Sequence, residues 1–290
     1  MATGEGLDIR WSDNNTRQRA THQSVGTSIS ARGNATLDAG RDINAQAAKL
    51  GAGDTLTLDA KGNVTLEAAI DQQGAQTYQK SGGGMSYFSL DAKSSEQSLN
   101  RTELSAKDVA IKSGGDTTLS ATTVNAETLE IDAGGKLALL APKTQDSQQW
   151  DVTHGSSASV GARGKGTSDE ALNYNQFNVG NLSVDAKGGI QAQVGQDVNL
   201  QDLAKQPGMG WVNRLTSDPR LTGSTEWQRV QEAHEQWAYH QSSMGPVSAA
   251  LVAVMVAAAG ALAAGAAGAT GGNPAAVAAR GGVGLAHRPL

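Results

Sequence analysis

An all-β fold is what this sequence predicts: a solenoid of stacked strand coils with hairpin excursions, followed by a small helical segment and an Ala/Gly-rich apolar tail. Three observations predict it. A phrase of an apolar residue, Asp-Ala and then Gly returns at Leu37-Asp-Ala-Gly, Leu58-Asp-Ala-Lys-Gly, Ile131-Asp-Ala-Gly-Gly and Val184-Asp-Ala-Lys-Gly. Recurrence of one grammar signals an array whose units bury their apolar faces only against neighbours. A second, longer period lies over the first, because Leu56-Thr-Leu-Asp-Ala-Lys-Gly-Asn-Val-Thr-Leu returns as Leu129-Glu-Ile-Asp-Ala-Gly-Gly-Lys-Leu-Ala-Leu. Finally, aromatics make up only 4% of the chain, with two Phe and 36 Gly. A core so poor in large rings must be built from Val, Ile and Leu in thin layers.

The elements follow in order. Period-two alternation predicts strands at Ala35–Ala39, Thr55–Asp59, Asn63–Glu67, Val109–Lys112, Thr118–Ser120, Thr128–Asp132, Lys136–Leu140, Leu182–Asp185 and Asp197–Leu200. Gly-Asn, Gly-Gly and Gly-Asp pairs separate them, where turns need positive φ at low cost. The spacing of Leu37 and Leu58 corresponds to about one coil of the 20–45-residue range. Between sets of coils lie polar excursions at about 11–34, 71–103 and 143–180, rich in Ser, Thr, Gln and Gly. They read as hairpins or loops leaving the shaft, so residues 1–202 form one repeat region. Their aromatics Tyr78, Tyr87, Phe88, Trp150 and Tyr174 read either as interaction anchors or as caps on the core where a loop departs.

Residues 203–245 change character. Ala204-Lys-Gln-Pro-Gly-Met-Gly-Trp211 is turn-rich, and Thr225-Glu-Trp-Gln has the form of a capping box. Trp227, Val230, His234 and Trp237 follow at helical spacing, which with Trp211 predicts a Trp-containing helical module stopped at Gly245-Pro246. Residues 246–272 read as an apolar Ala/Val/Gly helix. Its uncharged run 247–269 is long enough to span a membrane, although 12 of its residues are Ala and 3 are Gly, which makes insertion marginal. The tail 273–290 reads as disordered.

The sequence offers little chemistry. A net charge of −5 gives no basic footprint, which argues against nucleic acid. The absence of Cys removes disulfides, thiolate nucleophiles and Cys-based zinc sites together. His234 and His240 lack the four-residue spacing of a zinc helix; six residues turn a helix by about 600°, which separates them. They read as packed or surface histidines. Ser156-Ser-Ala-Ser159 has no Gly-x-Ser-x-Gly elbow. Gly161-Ala-Arg-Gly-Lys-Gly-Thr167 has only part of a phosphate loop and reads as a flexible excursion tip. Asp38, Asp59, Asp132 and Asp185 read as an acidic ladder for cations or, the favoured reading, as turn residues whose carboxylates satisfy backbone N–H groups. No cofactor, metal or enzymatic activity is expected; a polysaccharide lyase would need a cluster of carboxylates or basic residues that the repeats do not supply.

The stretch Gly114-Gly-Asp-Thr-Thr-Leu-Ser-Ala, the phrase from Leu129 to Leu139, and the excursion through Trp150 to Ser156-Ser-Ala-Ser-Val-Gly resemble the haemagglutinin repeats of filamentous haemagglutinin-like exoproteins. These are the secreted partners of bacterial two-partner systems, including contact-dependent growth inhibition toxins. Asp202-Leu-Ala-Lys-Gln-Pro-Gly-Met-Gly-Trp, Trp227-Gln-Arg-Val-Gln-Glu-Ala-His-Glu-Gln-Trp-Ala-Tyr-His and the Ala/Val run resemble the uncharacterised domain that follows such repeats. The resemblance covers about 11–262. It implies a right-handed parallel β-helix, an outer-membrane two-partner transporter as partner, and a secreted, cell-surface destination facing host or neighbouring bacterial cells. The function expected is a shaft for adhesion or display of a C-terminal toxin. Two alternatives stand beside it: a toxin-delivery (pretoxin) segment using 247–269 at a membrane, and a non-functional truncated remnant. The first thirty residues carry no signal peptide and no Val-Glu-Asn-Asn motif occurs, so a fragment is expected.

Overall fold

The computed structural model describes residues 2–12, 15–83 and 85–244. The apolar helix expected at 246–272 and the tail at 273–290 lie outside the described residues. No helix among the described residues is long and apolar enough to cross a membrane.

The chain opens with an antiparallel hairpin, β1 (Ala2–Ser12) and β2 (Asn15–Ser24). It then makes two turns of a coil: β3 (Ser28–Ala31), β4 (Ala35–Ala39) and β5 (Ile43–Gln46), followed by β6 (Lys49–Ala52), β7 (Thr55–Ala60) and β8 (Val64–Glu67). A long hairpin leaves next, β9 (Ala69–Gly83) and β10 (Ser86–Asn100). Two further coils follow: β11 (Glu103–Ser105), β12 (Asp108–Ser113) and β13 (Thr117–Ser120), then the continuous β14 (Thr123–Ala133) with β15 (Leu137–Leu140). The next hairpin is β16 (Lys143–Ser156) and β17 (Ser159–Leu172), and the fifth coil is β18 (Gln176–Ala186) with β19 (Ile190–Gly195). Short helices α1 (Leu200–Leu203), α2 (Gly210–Ser217) and α3 (Pro219–Thr222) precede β20 (Thr225–Val230) and β21 (His234–Met244).

Every pairing between coils is parallel and keeps the repeat in register. Leu37 faces Leu58, which faces Ile111, Ile131 and then Val184. On another face Ile43, Val64, Thr117, Leu137, Ile190 and Thr225 align. Alternation decides which residues point in: Leu58, Leu66, Leu104, Ile111, Leu119, Val124 and Leu129 are all 0% exposed. A coil alone cannot bury this row, because half of each apolar contact belongs to the coil above or below.

Corners between coils carry their own polar solutions. Asp42 Oδ1 accepts from Asn63 N–H 21 residues on, Asn63 Oδ1 from Asp116 N–H after 53, and Asp116 Oδ1 from Lys136 N–H after 20. These offsets are the coil lengths without and with an excursion. The turn role expected of Asp38, Asp59, Asp132 and Asp185 therefore falls four residues later in the coil. Those four aspartates instead sit on the outward side of the strands, aligned with Lys112. Strand alternation, with Leu37, Leu58, Ile131 and Val184 pointing in, turns the following residue out.

The decision to continue or to leave is made at the next corner. Ala47 and Ala121 take left-handed backbone angles (φ 51° and 48°) and pass straight into the following coil. After β8 and β15 the chain departs into a hairpin instead and returns at Arg101 and Tyr174. Arg101 then donates to the carbonyls of Ala121 (3.2 Å) and Tyr174 (2.8 Å). Inside this corner runs a buried polar column, Thr102, Thr122 and Asn175, each 0–1% exposed. The Thr102 hydroxyl donates to Glu67 O, the Thr122 hydroxyl to Leu66 O, and the Asn175 amide to Leu119 O and Leu140 O. No buried side-chain polar atom among the described residues lacks a partner, as burial demands.

Two parts of the expected secondary structure change. Asp197–Leu200 is not a strand: Asn199 caps α1 by accepting from Gln201 N–H (2.8 Å), and the local strand is β19. The helix expected through Trp227, Val230, His234 and Trp237 is two strands, β20 and β21. The 3.6-residue spacing there was a coincidence overridden by tertiary pairing, β20 with β19 and β21 with β17. Helix does occur earlier, where Trp211 is 2% exposed in α2. Its indole stacks on Trp227 (6.2 Å, 17°) and tilts against Phe177 (6.1 Å, 50°), and its N–H donates to Asn175 O at 3.0 Å. Three rings thus close the end of an aliphatic core.

Candidate interaction surface

The excursions are not loops. Their hairpins join one seven-stranded antiparallel sheet in the order β1-β2-β9-β10-β16-β17-β21. Each leaves the coils at the same corner, so successive hairpins arrive already aligned, and the last strand returns from the helical segment to complete the edge.

Register divides the side chains between two faces. One face carries Tyr78, Asp91, Asp151, Gly164 and Tyr239 in a single cross-strand row. The neighbouring row is Gln18, Gln76, Lys93, Gln149, Gly166 and Trp237, and the next is Ala20, Gly74, Ser95, Ser147, Ser168 and Glu235. Small residues flanked by larger ones make a concavity, and a groove of ≈ 550 Å³ lies along this last row. The opposite face carries Phe88, Leu90, Trp150, Val152, His154, Arg163 and Lys165.

Glycine in β17 is what lets β21 dock. A Cβ on Gly164 would lie 2.3 Å from Asp151 Oδ1 and 2.6 Å from Tyr239 Cε1. One on Gly166 would lie 2.4 Å from Trp237 Cε2. Rings of Trp237 and Tyr239, stacked at 6.0 Å and 13°, therefore cover two bare backbone positions, the aromatic-over-glycine arrangement known to pin register. The Tyr239 hydroxyl crosses Gly164 to donate to Asp151 at 2.7 Å, and Asp151 is only 8% exposed. Burial first, and then the bond to this carboxylate, push the Tyr239 phenol well above its ordinary range. The segment Gly161–Thr167 is accordingly neither a phosphate loop nor a flexible tip but the middle of a strand. The signal that could have found it is Gly164-Lys-Gly166 opposite Trp237-Ala-Tyr239, two alternating patterns of matching period.

The aromatics singled out from sequence are divided among three places. Tyr78 is half-buried in the grooved face. Tyr87, 38% exposed, covers Gly155 on that face, whereas Phe88 (39%) and Trp150 (38%) stand on the opposite one. Phe88 faces His154 across the strands, four positions from Trp150, about 13 Å along the strand. Tyr174 is in neither face: it packs against the core, and its hydroxyl accepts from Gly195 N–H at 3.0 Å, with burial raising its pKa. Trp211 and Trp227 belong to the core cap, Val230 ends β20, and His234 stands exposed beside Asp169 (Nδ1–Oδ1 3.3 Å). His234 and His240 share a strand face through their even spacing, a consequence of strand rather than helix, and lie about 20 Å apart. No group of three or more metal-ligating side chains occurs among the described residues.

Lys143 closes the shaft-side end of the sheet by binding Glu170 (2.7 Å). That bond, opposed by partial desolvation, lowers the Glu170 carboxyl below its usual range, and the carboxylate also accepts from Ala233 N–H at 2.9 Å. Amides and hydroxyls make up most of the polar lining of the groove, together with Lys93, Glu235 and the ring of Trp237.

Comparison with known proteins gives one match. A family model described as hemagglutinin repeat fits residues 7–100 and again 78–153. The two overlapping matches take in the first hairpin from the middle of β1 onward, the second hairpin, coils one to four and most of β16. No curated protein and no solved structure matches the chain. Together the two segments run over 7–153 of 290 residues, just over half the chain, which therefore belongs to the hemagglutinin-repeat family.

Proposed function

We propose that this chain is a non-enzymatic segment of a secreted, cell-surface exoprotein of the filamentous haemagglutinin type, a right-handed parallel β-helix shaft whose hairpin sheet meets other cells. The observation that carries the reading is the coupling of two arrays. Every second coil sends out a hairpin from one corner, and the hairpins merge into a single sheet. Adding a super-repeat thus lengthens the shaft and widens the contact surface together, which suits reach and multivalent adhesion rather than turnover. Right-handedness is supported by the rule that parallel crossovers within one sheet are almost always of that hand.

In this reading an outer-membrane transporter of the two-partner type exports the protein, and host or neighbouring bacterial cells are the target. Display of a C-terminal toxin by the same shaft, with 247–269 contacting a membrane, is the extension that the resemblance implies.

The direct test is adhesion of the purified full chain to epithelial and bacterial cells, with the β-rich fold verified by circular dichroism. Saturable retention is expected. A folded protein that washes off both cell types without retention would remove the adhesive role. Protease shaving of producing cells checks the location: protection of the chain in intact cells would sink the surface assignment.

A further inference from the structure

We propose that the groove across the hairpin sheet is a binding site for an uncharged polysaccharide chain lying perpendicular to the strands. The proposal rests on the reading of this sheet as the contact surface and goes further, by naming the ligand class and its seat.

The floor is built from Gly74, Ser95, Ser147 and Ser168, one from each of four adjacent strands. Adjacent strands are about 4.8 Å apart, so the floor is a straight lane with one small residue per strand. That step is close to the advance of one ring in an extended β-linked sugar chain. A polypeptide laid across the strands finds no backbone edge to pair with here, since every strand beneath it is already bonded on both sides.

The walls are amides. Gln18, Gln76 and Gln149 recur along one side of the lane, with Gln72 and Gln145 on the other. A carboxamide offers two donors and an acceptor with no charge, which matches hydroxyl groups that both donate and accept. Some of these amides are committed to the floor: Gln72 donates to Ser95 (3.0 Å) and Gln145 to Ser168 (2.8 Å), which fixes their orientation. Gln149 is half-buried in the wall, and its side chain has no hydrogen-bond partner among the described residues. The same is true of the Trp237 indole N–H at the end of the lane.

Charge points to a neutral ligand. Three ionic groups line the groove: Lys93 lies against Asp91 (3.4 Å), Glu170 is held by Lys143, and Glu235 is a single exposed carboxylate on β21, so no cluster of positive charge favours an acidic polymer. Trp237 supplies the complementary apolar element. Its ring is fixed over Gly166 and against Tyr239, so it borders the lane without losing conformational freedom on binding.

Calorimetric titration of the full chain tests this with four probes: β-1,4-linked hexamers of glucose and of N-acetylglucosamine, a hyaluronan hexamer, and a polar decapeptide. A neutral hexamer is expected to bind saturably. Q149A should weaken it at least tenfold and S147F, which fills the lane, should abolish it, while Q79A on the opposite face leaves it within twofold. Circular dichroism and the thermal midpoint establish that each variant folds. Failure of both neutral hexamers to bind a folded protein overturns the proposal. So does tighter binding of hyaluronan or the peptide, or full affinity in both Q149A and S147F. Cell adhesion separates the two levels of argument: adhesion that survives in S147F leaves the adhesive reading standing without the groove. Sugar binding without adhesion does the reverse.

Discussion

The coils and the hairpin sheet repeat with the same period yet hold together by different means. In the coils, aliphatic side chains face their equivalents across each step, and the row Leu66, Leu119, Leu139 and Ala192 is no more than 3% exposed. In the hairpin sheet the matching rows are Gln, Ser, Gly and Thr, and cohesion comes from backbone pairing with a few rings laid over glycines. The difference teaches how one chain divides labour: burial in the shaft supplies stability, which frees the sheet to keep polar side chains in contact with solvent. It also explains the aromatic economy. Five of the eleven rings serve these ends: Phe177, Trp211 and Trp227 where the aliphatic row stops, and Trp237 and Tyr239 where a strand is held by its face.

That comparison breaks most sharply at the cap. Trp211→Ala removes a ring packed against two others and leaves Asn175 O without its indole donor. A loss of about 3–5 kcal/mol is expected from such a truncation, read as the urea midpoint with unchanged slope. A loss below 1 kcal/mol would show that the helical segment covers rather than supports the core. Leu119→Ala in the middle of the row should cost about 2–5 kcal/mol, while Leu90→Ala in the half-buried hairpin face should cost less than about 1. Equal costs would erase the proposed division between shaft and sheet.

Within the sheet the largest effect belongs to β17. Gly164→Val drives a side chain into Asp151 and Tyr239, and about 1–3 kcal/mol is expected for such overpacking. Because the clash falls between β16 and β21, limited proteolysis should release the segment beyond Val230 while the coils stay resistant. Loss of the whole far-ultraviolet β signal instead would mean that the sheet and coils fold as one unit. Tyr239→Phe is milder, about 1 kcal/mol, since it removes only the part-buried bond from the phenol to Asp151.

The same phenol gives a pH dependence. Its folded pKa is raised, so its contribution to stability is complete below the unfolded value of about 10 and is lost as pH rises above that value. Wild type should therefore lose stability relative to Tyr239→Phe above about pH 10; parallel curves would show that the phenol is neither buried nor bonded to Asp151 in solution. Smallest of all is Lys107→Ala. Lys107 binds Asp54 at a fully exposed corner, and exposed pairs contribute little, so no measurable shift of the midpoint is expected.

Much of this was legible in the chain. Strand positions came from alternation, because inward Leu, Ile and Val must recur every second residue, and the 73-residue shift between Leu56 and Leu129 is one excursion-bearing step plus one plain step. The same shift carries Gln76 onto Gln149, which lie in one wall of the groove. Harder to read was anything that depends on which strand lies beside which. Trp227 and Trp237 fall at helical spacing, and no local signal outweighs that; their strands exist because β19 and β17 offer open edges. Gly164 and Gly166 look like a loop for the same reason, since a glycine's purpose as a bed for a ring is visible only with the ring 70-odd residues later in place.

Local sequence sets the array: its coil length, its inward rows and its exits at regular intervals. These are local, because a strand's alternation and a turn's glycine act over a few residues. Folding is what brings the exits to one corner, pairs their hairpins into a sheet with two distinct faces, and runs a lane of small residues across it. Between hairpins, cross-strand neighbours lie 50 or more residues apart, and their register is fixed by the sum of many backbone pairings rather than by any one side chain.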